Sequence, residues 1–419
     1  MDTLKIRDAK DVEDAVRAAI AGEQPLEIIG HGSKRLVGQV TATNAVLDLS
    51  PLSAVSAYEP HELIITVQAG APLSDVMSLL DSKNQQFAFE PVNLAPLLSP
   101  LLGSPERGTV GGMIGAGLAG PRRIKAGGVR DHLLGAHAVS GFGESFKTGG
   151  KVVKNVTGYD LCKLLAGSWG TLAVMTEVTL KVMPRPEAEG TLLLRGLDHI
   201  AANRAMTAGL GSAFDVSAAA HVPPSALRGE VKGLDKIALP QEAVTLLRLE
   251  GIAASVRHRA ASLAEALKPF GPVELLEEAA SLAAWSAVRD VQPFAANGPL
   301  GACPVWRIVC PPASGGTLGE ALARETGGEV IYDWGGGLIW AALPPKPIVK
   351  PDGQASQVRQ RVAGVGGHAT LIRGSDELRR LIDVFHPQPA ALAALSERVR
   401  FSFDPRRILN RGRLAREGA

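Results

Sequence analysis

Hydrophobic residues near the start of the chain recur three and four positions apart in DVEDAVRAAIAG, the period of a helix that buries one stripe. LEII follows, a short apolar run of strand length that leads into the loop GHGSKR. AVLDL and LIITVQAG read as further strands, the second with period-two alternation. Pro72 opens the helix LSDVMSLLDSKN, where its missing N–H costs little. HLLGAHAVS and ESFKTGG are predicted as strands about the turn GFG. Thr157 and Asp160 have the spacing of a capping box ahead of the helix LCKLLAG, which Gly167 and Gly170 end. TLAVMTEVTLKV is then a long apolar strand, and the two prolines of MPRPEAEG mark a domain boundary.

Beyond residue 190 the pattern changes. TLLLRGL, VSAAAHV, VTLLRLEG, PVELL, PVWRIVC, EVIYDW and LIWAALP read as strands, with helices at HIAANRAMTAGL, RHRAASLAEALKPF and TLGEALARETG. That order predicts helices covering an antiparallel sheet. PPKPIVKPDG reads as a surface loop, and the Pro- and Arg-rich FSFDPRRILNRGRL as a closing segment outside the core. No repeat stands out.

The 419 residues suit two or three domains of ~150 residues each. With 46% hydrophobic and 21% charged residues the composition is globular, and a formal net charge of +2 leaves no footprint for nucleic acid. Cys162, Cys303 and Cys310 are too few for a four-thiolate cluster, which excludes a self-contained iron–sulfur centre and fits a reducing compartment. The first residues include acidic ones and no apolar h-region, so no cleaved signal is expected. No apolar run reaches the ~20 residues of a membrane helix. A soluble, cytoplasmic chain is predicted, with peripheral attachment to the inner membrane face open to it as part of a complex.

The outlier is glycine, with 47 residues that cluster. Gly30, His31, Gly32, Ser33 and Lys34 directly follow LEII. A glycine turn leaving a strand directs N–H groups outward and can hold phosphate oxygens, with Ser33 adding a donor and Lys34 a charge. The same composition also serves simple chain reversal. A second cluster, GTVGGMIGAGLAG over residues 108–120, precedes Pro121, Arg122 and Arg123. Its glycines would destabilise an unsupported helix by up to ~1 kcal/mol each relative to alanine. That favours main chain laid against a flat or charged ligand, with Thr109 bonded to it, over close helix packing. Arg122 or Arg123 could neutralise a pyrophosphate or a carboxylate; a solvated arginine pair is the plain alternative. A third group is KNVTGYD, with Gly167, Ser168, Gly170 and Thr171 ahead of the long strand.

In order and spacing, GHGSK, VQAGA, GTVGG, KNVTGYDLCKLLAGSWGTLAVMTEVTLKVMPRP and FDPRRILNRGRL resemble the PCMH-type FAD-binding fold of the vanillyl-alcohol oxidase family. The resemblance covers essentially the whole chain and is weakest over residues 190–395. GSKR, GPRR and KN-x-x-GYDL are most similar to the E-subunit branch of the bacterial glycolate oxidases. An α+β fold is implied: a PCMH-type FAD-binding domain of two α+β subdomains over residues 1–185, a ferredoxin-like antiparallel-sheet cap over 186–395, and a segment, 396–419, that returns to the first domain.

FAD is the implied cofactor, with its pyrophosphate at Gly30, His31, Gly32, Ser33 and Lys34. The resemblance also implies pyrophosphate and flavin contacts along Gly108, Thr109, Val110, Gly111, Gly112, Gly117, Gly120 and Arg122. Gly170, Thr171 and Val174 would add backbone contacts, and Asn410 would lie near the flavin. Some relatives attach FAD through a histidine near the first loop; His31, between two glycines, reads as a simple loop contact.

Larger glycolate- and D-lactate-oxidising relatives carry a cap motif H-x-x-G-D-G-N-x-H that supplies metal ligands and a base. This sequence lacks it, so no metal site is expected and no catalytic residue is assigned. His221 and His368 stand isolated and read as structural histidines. The resemblance implies an FAD-binding subunit supporting electron transfer beside a larger FAD-containing subunit and an iron–sulfur subunit. Such a complex converts glycolate, a small 2-hydroxy acid, to glyoxylate. Two alternatives stay open. One is a self-sufficient FAD-dependent 2-hydroxyacid dehydrogenase of D-lactate type, with Arg122 or Arg123 on the carboxylate and His221 or His368 as base; the other is a structural partner without flavin.

Overall fold

The computed structural model describes residues 2–41, 43, 45–98, 108–151, 158–344 and 353–416. The amphipathic run near the start forms the helix Ala9–Ala21, opened by Asp8, whose carboxylate accepts from the Asp11 N–H. Its stripe of Val12, Val16 and Ala19 shares a core with Leu26 and Leu47 from a three-stranded parallel sheet. In that sheet Ala45–Asp48 lies between Asp2–Lys5 and Leu26–Ile29.

A five-stranded antiparallel sheet follows, in the order Val55–Glu59, Ile64–Gln68, Ala173–Lys181, Leu133–Ser140, Ser145–Gly149. Alternation along its central strands divides two cores. Val139 and Val174, cross-strand partners, point into the parallel-sheet lobe, whereas Ala138 and Met175, the adjacent pair, pack with the helices Leu73–Asp81 and Val110–Ala116.

The segment FSFDPRRILNRGRL departs from expectation. Phe401 to Phe403 finish the helix Ala390–Phe403, but Ile408 and Leu409 are core residues at 2% exposure. The Leu26 N–H donates to the Ile408 carbonyl and the Asn410 N–H to the Leu26 carbonyl, which makes this stretch a bridge alongside the first lobe's edge strand. The glycine run is likewise helical over Val110–Ala116, capped by Thr109, whose hydroxyl oxygen accepts from the Gly112 N–H. Thr157 lies outside the described residues, and the helix Cys162–Leu165 starts without a side-chain cap. Most of PPKPIVKPDG also lies outside them.

Ala188–Arg195 opens an eight-stranded antiparallel sheet. The strand order is Val273–Leu276, Ala188–Arg195, Val244–Gly251, Ala218–Val222, Glu329–Asp333, Leu338–Ala342, Val305–Val309, His368–Arg373. Each half runs strand, helix, strand, strand, helix, strand, so the sheet is two ferredoxin-like units side by side. The sequence shows no such repeat. The two units meet where His221 pairs with Tyr332. One sheet face is covered by the helices His199–Leu210, Ala253–Leu267, Gly315–Thr326 and Gly353–Ala363, with Trp306, Ile308, Ile339 and Ala341 beneath them. The opposite face, with Val305, Ile331, Leu338 and Trp340, packs on Val37, Leu94, Leu97 and Ala116 of the first domain.

A buried ion cluster fastens this junction. Arg248 donates to both oxygens of Glu90, at 2.9 and 3.0 Å, while Arg122 reaches Glu250 at 2.7 Å. Burial works against the charge on Glu90, yet Arg248 and Arg122 outweigh it and hold the carboxyl at about 2. Arg248→Met takes away the bidentate partner of Glu90 and leaves Arg122 to serve both Glu90 and Glu250, and is expected to lower stability by ~3–5 kcal/mol in urea denaturation; Glu90→Gln in the same chain should recover part of this. Glu90 has an ordinary value of 4.5, so its contribution is complete above that pH and is lost as pH falls toward about 2. On acid titration the stability difference between wild type and Glu90→Gln should therefore shrink within that window.

Candidate cofactor cleft

Leu26–Ile29 delivers the loop of residues 30–35 to the domain surface. Arg35 folds the loop back by donating to Glu27 at 2.8 Å, and Gly32 turns with φ 69°. Close approach then locks the loop to the glycine-run helix: a β-carbon on Gly30 would sit 2.4 Å from Thr109 Oγ1. Within the helix the glycines differ in purpose. Gly111 packs on Ala69, where a β-carbon would lie 2.8 Å away, whereas Gly112 and Gly115 leave main chain bare toward a cleft.

The next wall is Trp169 and Gly170, held by a bond from the Trp169 N–H to the Gly115 carbonyl at 2.9 Å. Ala173 and Met175 continue it along the following strand. Asn410 closes the corner. Its Oδ1 accepts from the Ile28 N–H at 2.9 Å and its Nδ2 donates to the Trp169 carbonyl at 2.8 Å. Arg413 donates to the Lys34 carbonyl at 2.8 Å and lies over the Trp169 ring at 5.5 Å. Burial draws the Lys34 ammonium down to about 8, and burial draws Arg413 down to about 10. Lys34 has no carboxylate beside it among the described residues; its Nζ donates to Ser33 Oγ at 3.3 Å. A partly dry, cationic, main-chain-lined cleft suits an anionic ligand with a flat part.

Of the residues anticipated from sequence, Gly30, His31, Gly32, Ser33 and Lys34 line this cleft, as do Thr109, Gly111, Gly112, Gly170 and Asn410. The others lie elsewhere. Gly108 backs onto Ser33, and Val110 and Val174 are core residues. Thr171 donates its hydroxyl to the Ser168 carbonyl. Gly117 presses on Gly167, and Gly120 on Glu90, with its carbonyl accepting from Trp334 Nε1. Arg122 is engaged by Glu250 and stands outside the cleft.

Sequence reasoning missed Gly115, Trp169 and Arg413 as lining residues. For Ala173 and Met175 the signal was strand alternation, since Val174 faces the other core. KNVT lies outside the described residues.

His221 is fully buried. Its Nδ1 bonds Thr245 Oγ1 at 2.9 Å, and its ring lies 5.6 Å from Tyr332, on the helix-covered face away from the cleft. Burial takes it down to about 3, so it stays neutral and structural. His368 stands at the start of the last cap strand with its ring partly withdrawn from solvent, which together with the charges of Arg307 and His386 lowers its pKa. Among the described residues, no three His, Cys, Asp or Glu side chains are grouped to hold a metal ion, and no helix is long and apolar enough to cross a membrane.

Residues 3–149 match the model of a FAD binding domain family. Glycolate oxidase subunit GlcE of Escherichia coli (strain K12) is 32% identical over 406 residues, 96% of this chain and 96% of that protein. Glycolate oxidase subunit GlcD of Bacillus subtilis (strain 168) is 32% identical over 177 residues, 42% of this chain and 35% of that protein. Among solved structures, an alkyldihydroxyacetonephosphate synthase superposes with TM-score 0.71 at 15% identity, covering 97% of this chain and 76% of that one, a likeness of fold. Identity sustained over nearly the full length of both sequences, on a matched FAD binding domain, places the chain in the glycolate oxidase subunit GlcE family of FAD-dependent oxidoreductases.

Proposed function

We propose that this chain is the FAD-binding subunit of a complex that oxidises glycolate to glyoxylate, passing electrons between a larger FAD-containing subunit and an iron–sulfur subunit. The observation that carries this reading is the end-to-end relation to GlcE, which spans cap as well as cofactor domain. GlcD is related to this chain over a shorter stretch and is itself longer, which supports two related flavin-binding chains working together. The coordinating thiolates for a cluster would come from another subunit, because the chain has three cysteines, of which Cys162 and Cys310 are buried apart in different cores.

FAD, when bound, supplies hydride acceptance and onward electron transfer. The chain's own residues shape the site. Lys34 and Arg413 would meet the pyrophosphate charge, Ser33 would donate to its oxygens, and Gly112, Gly115 and Gly170 would let main chain approach the ring system. The cleft leaves room for that group at Gly115, where the nearest atom to a β-carbon would be 4.0 Å away.

Gly115→Val should therefore lower bound FAD at least tenfold while leaving the thermal midpoint near wild type, read from flavin absorbance per chain. Lys34→Met should weaken FAD binding by roughly tenfold, about 1.4 kcal/mol, measured by fluorescence titration of the apoprotein. Co-expressed with the other two subunits, the chain should co-purify with both and carry FAD; purified alone, it should hold FAD yet turn over glycolate negligibly. Robust glycolate oxidation by the isolated chain, or a flavin-free complex, overturns the reading.

A further inference from the structure

We infer that the first two turns of the helix Ala390–Phe403, with the arginine-lined groove beside them, are the docking site for the iron–sulfur subunit, which meets them with an apolar pocket edged by acidic side chains. The inference rests on the reading of the chain as one subunit of a complex and adds to it the surface and chemistry of one contact.

This helix is seated at one end. Leu392, Leu395, Val399 and Phe403 recur at helical spacing and make one stripe. Val399 and Phe403 pack on the core of the five-stranded sheet, with the Phe403 ring 6.2 Å from that of Phe146. Leu392 and Leu395 continue the stripe at 48% and 47% exposure. The opening turns, AALAAL, are apolar on every side of the helix, and all six residues are exposed. Turns that are apolar all round belong in an interior. A helix of about 12–15 residues is marginal in water on its own, so these turns gain most from a surface that surrounds them. A lipid interface takes a helix with one apolar and one strongly polar face, which AALAAL does not offer. A protein pocket does surround it.

Charge sets the sign of the rim. From Ser396 to Arg416 the chain places seven arginines against two acids, although its net charge over 419 residues is only +2. Five of the seven, Arg400, Arg407, Arg411, Arg413 and Arg416, line a groove of about 520 Å³ between the helix and the closing segment. The two acids do not balance them. Glu397 is shared by Arg400 at 2.7 Å and Arg407 at 2.6 Å, while the Asp404 carboxylate accepts from the N–H groups of Ile408 and Leu409 at 3.0 and 2.8 Å. That excess favours a partner edged with aspartate and glutamate, whose carboxylates take paired N–H donors from a guanidinium.

The groove also borders the cofactor cleft, since Asn410 and Arg413 line both. A partner seated in it lies against one wall of the flavin site. Of the two partner subunits the iron–sulfur one is the occupant. A thiolate-held cluster can lie at a subunit surface, whereas a flavin in a larger chain of related fold is enclosed between two domains.

The test measures binding of the FAD-loaded chain to the purified iron–sulfur subunit and, separately, to the purified larger subunit. Leu395→Asp should weaken the iron–sulfur subunit at least tenfold, as should Arg407→Gln combined with Arg411→Gln. Both variants should keep wild-type affinity for the larger subunit, wild-type FAD content and wild-type melting temperature. Added salt should weaken the wild-type contact and barely alter that of the arginine variant. In the wild-type chain, amide exchange over residues 390–398 should slow when the iron–sulfur subunit is added and not when the larger one is, a result that needs no variant to fold. Unchanged iron–sulfur affinity in either variant, or protection of the helix by the larger subunit instead, overturns the site. So does binding of the wild-type chain to phosphatidylglycerol vesicles that Leu395→Asp abolishes, which assigns the helix to a lipid surface. A wild-type chain that binds neither subunit sinks the reading as a complex subunit and the docking with it. One that binds both with its helix unprotected sinks the docking alone.

Discussion

One side-chain amide sets the geometry on which the cofactor cleft depends. Asn410 takes a hydrogen bond from the Ile28 N–H and gives one to the Trp169 carbonyl, so a single planar group fixes the distance between an edge strand and the loop of the opposite wall. Both main-chain groups are half-buried there, and losing either bond would cost about 0.5–1.5 kcal/mol. Around this tie, close contacts of loop on helix do the rest. Gly30 lies on Thr109, and the Trp169 N–H reaches Gly115, so three segments far apart in sequence hold one another at main-chain distance.

The cap contributes in a different way. Two ferredoxin-like units joined edge to edge give a sheet wide enough to cover the first domain on one face and to carry its own helices on the other. Histidine and tyrosine side chains at the seam are absorbed in that joining, Tyr332 bonding His199 and packing against His221. Charge is then concentrated on the junction, where Arg248, Arg122, Glu90 and Glu250 neutralise one another and Arg307 and Arg123 face a common ring.

Much of the fold was legible in the sequence, because long alternating or helical-period segments announce themselves. LEII, TLAVMTEVTLKV and VTLLRLEG all form strands where their apolar runs stand. The helix Glu278–Arg289 escaped notice because its buried side includes Ser281 and the small Ala284 and Ala287, which blur the contrast between stripe and surface. The duplicated cap was invisible because topology repeats without residues repeating. Glycine alone could not say which neighbour required it: in one run of chain Gly112 and Gly115 open onto the cleft while Gly120 serves the domain junction. Ile408 and Leu409 were hidden among arginines, since two residues are too few to show a period.

The bridge between Leu26 and Leu409 also dictates an order of events at the ribosome. The strand that bears the first loop emerges early, but the residue that ties it to the opposite wall is made nearly four hundred residues later. At synthesis rates of about 5–20 residues per second, the cleft stays unfinished for tens of seconds while the whole cap is translated and folds. Nascent chains that stall inside the cap therefore lack Asn410 and with it the last wall of the cleft.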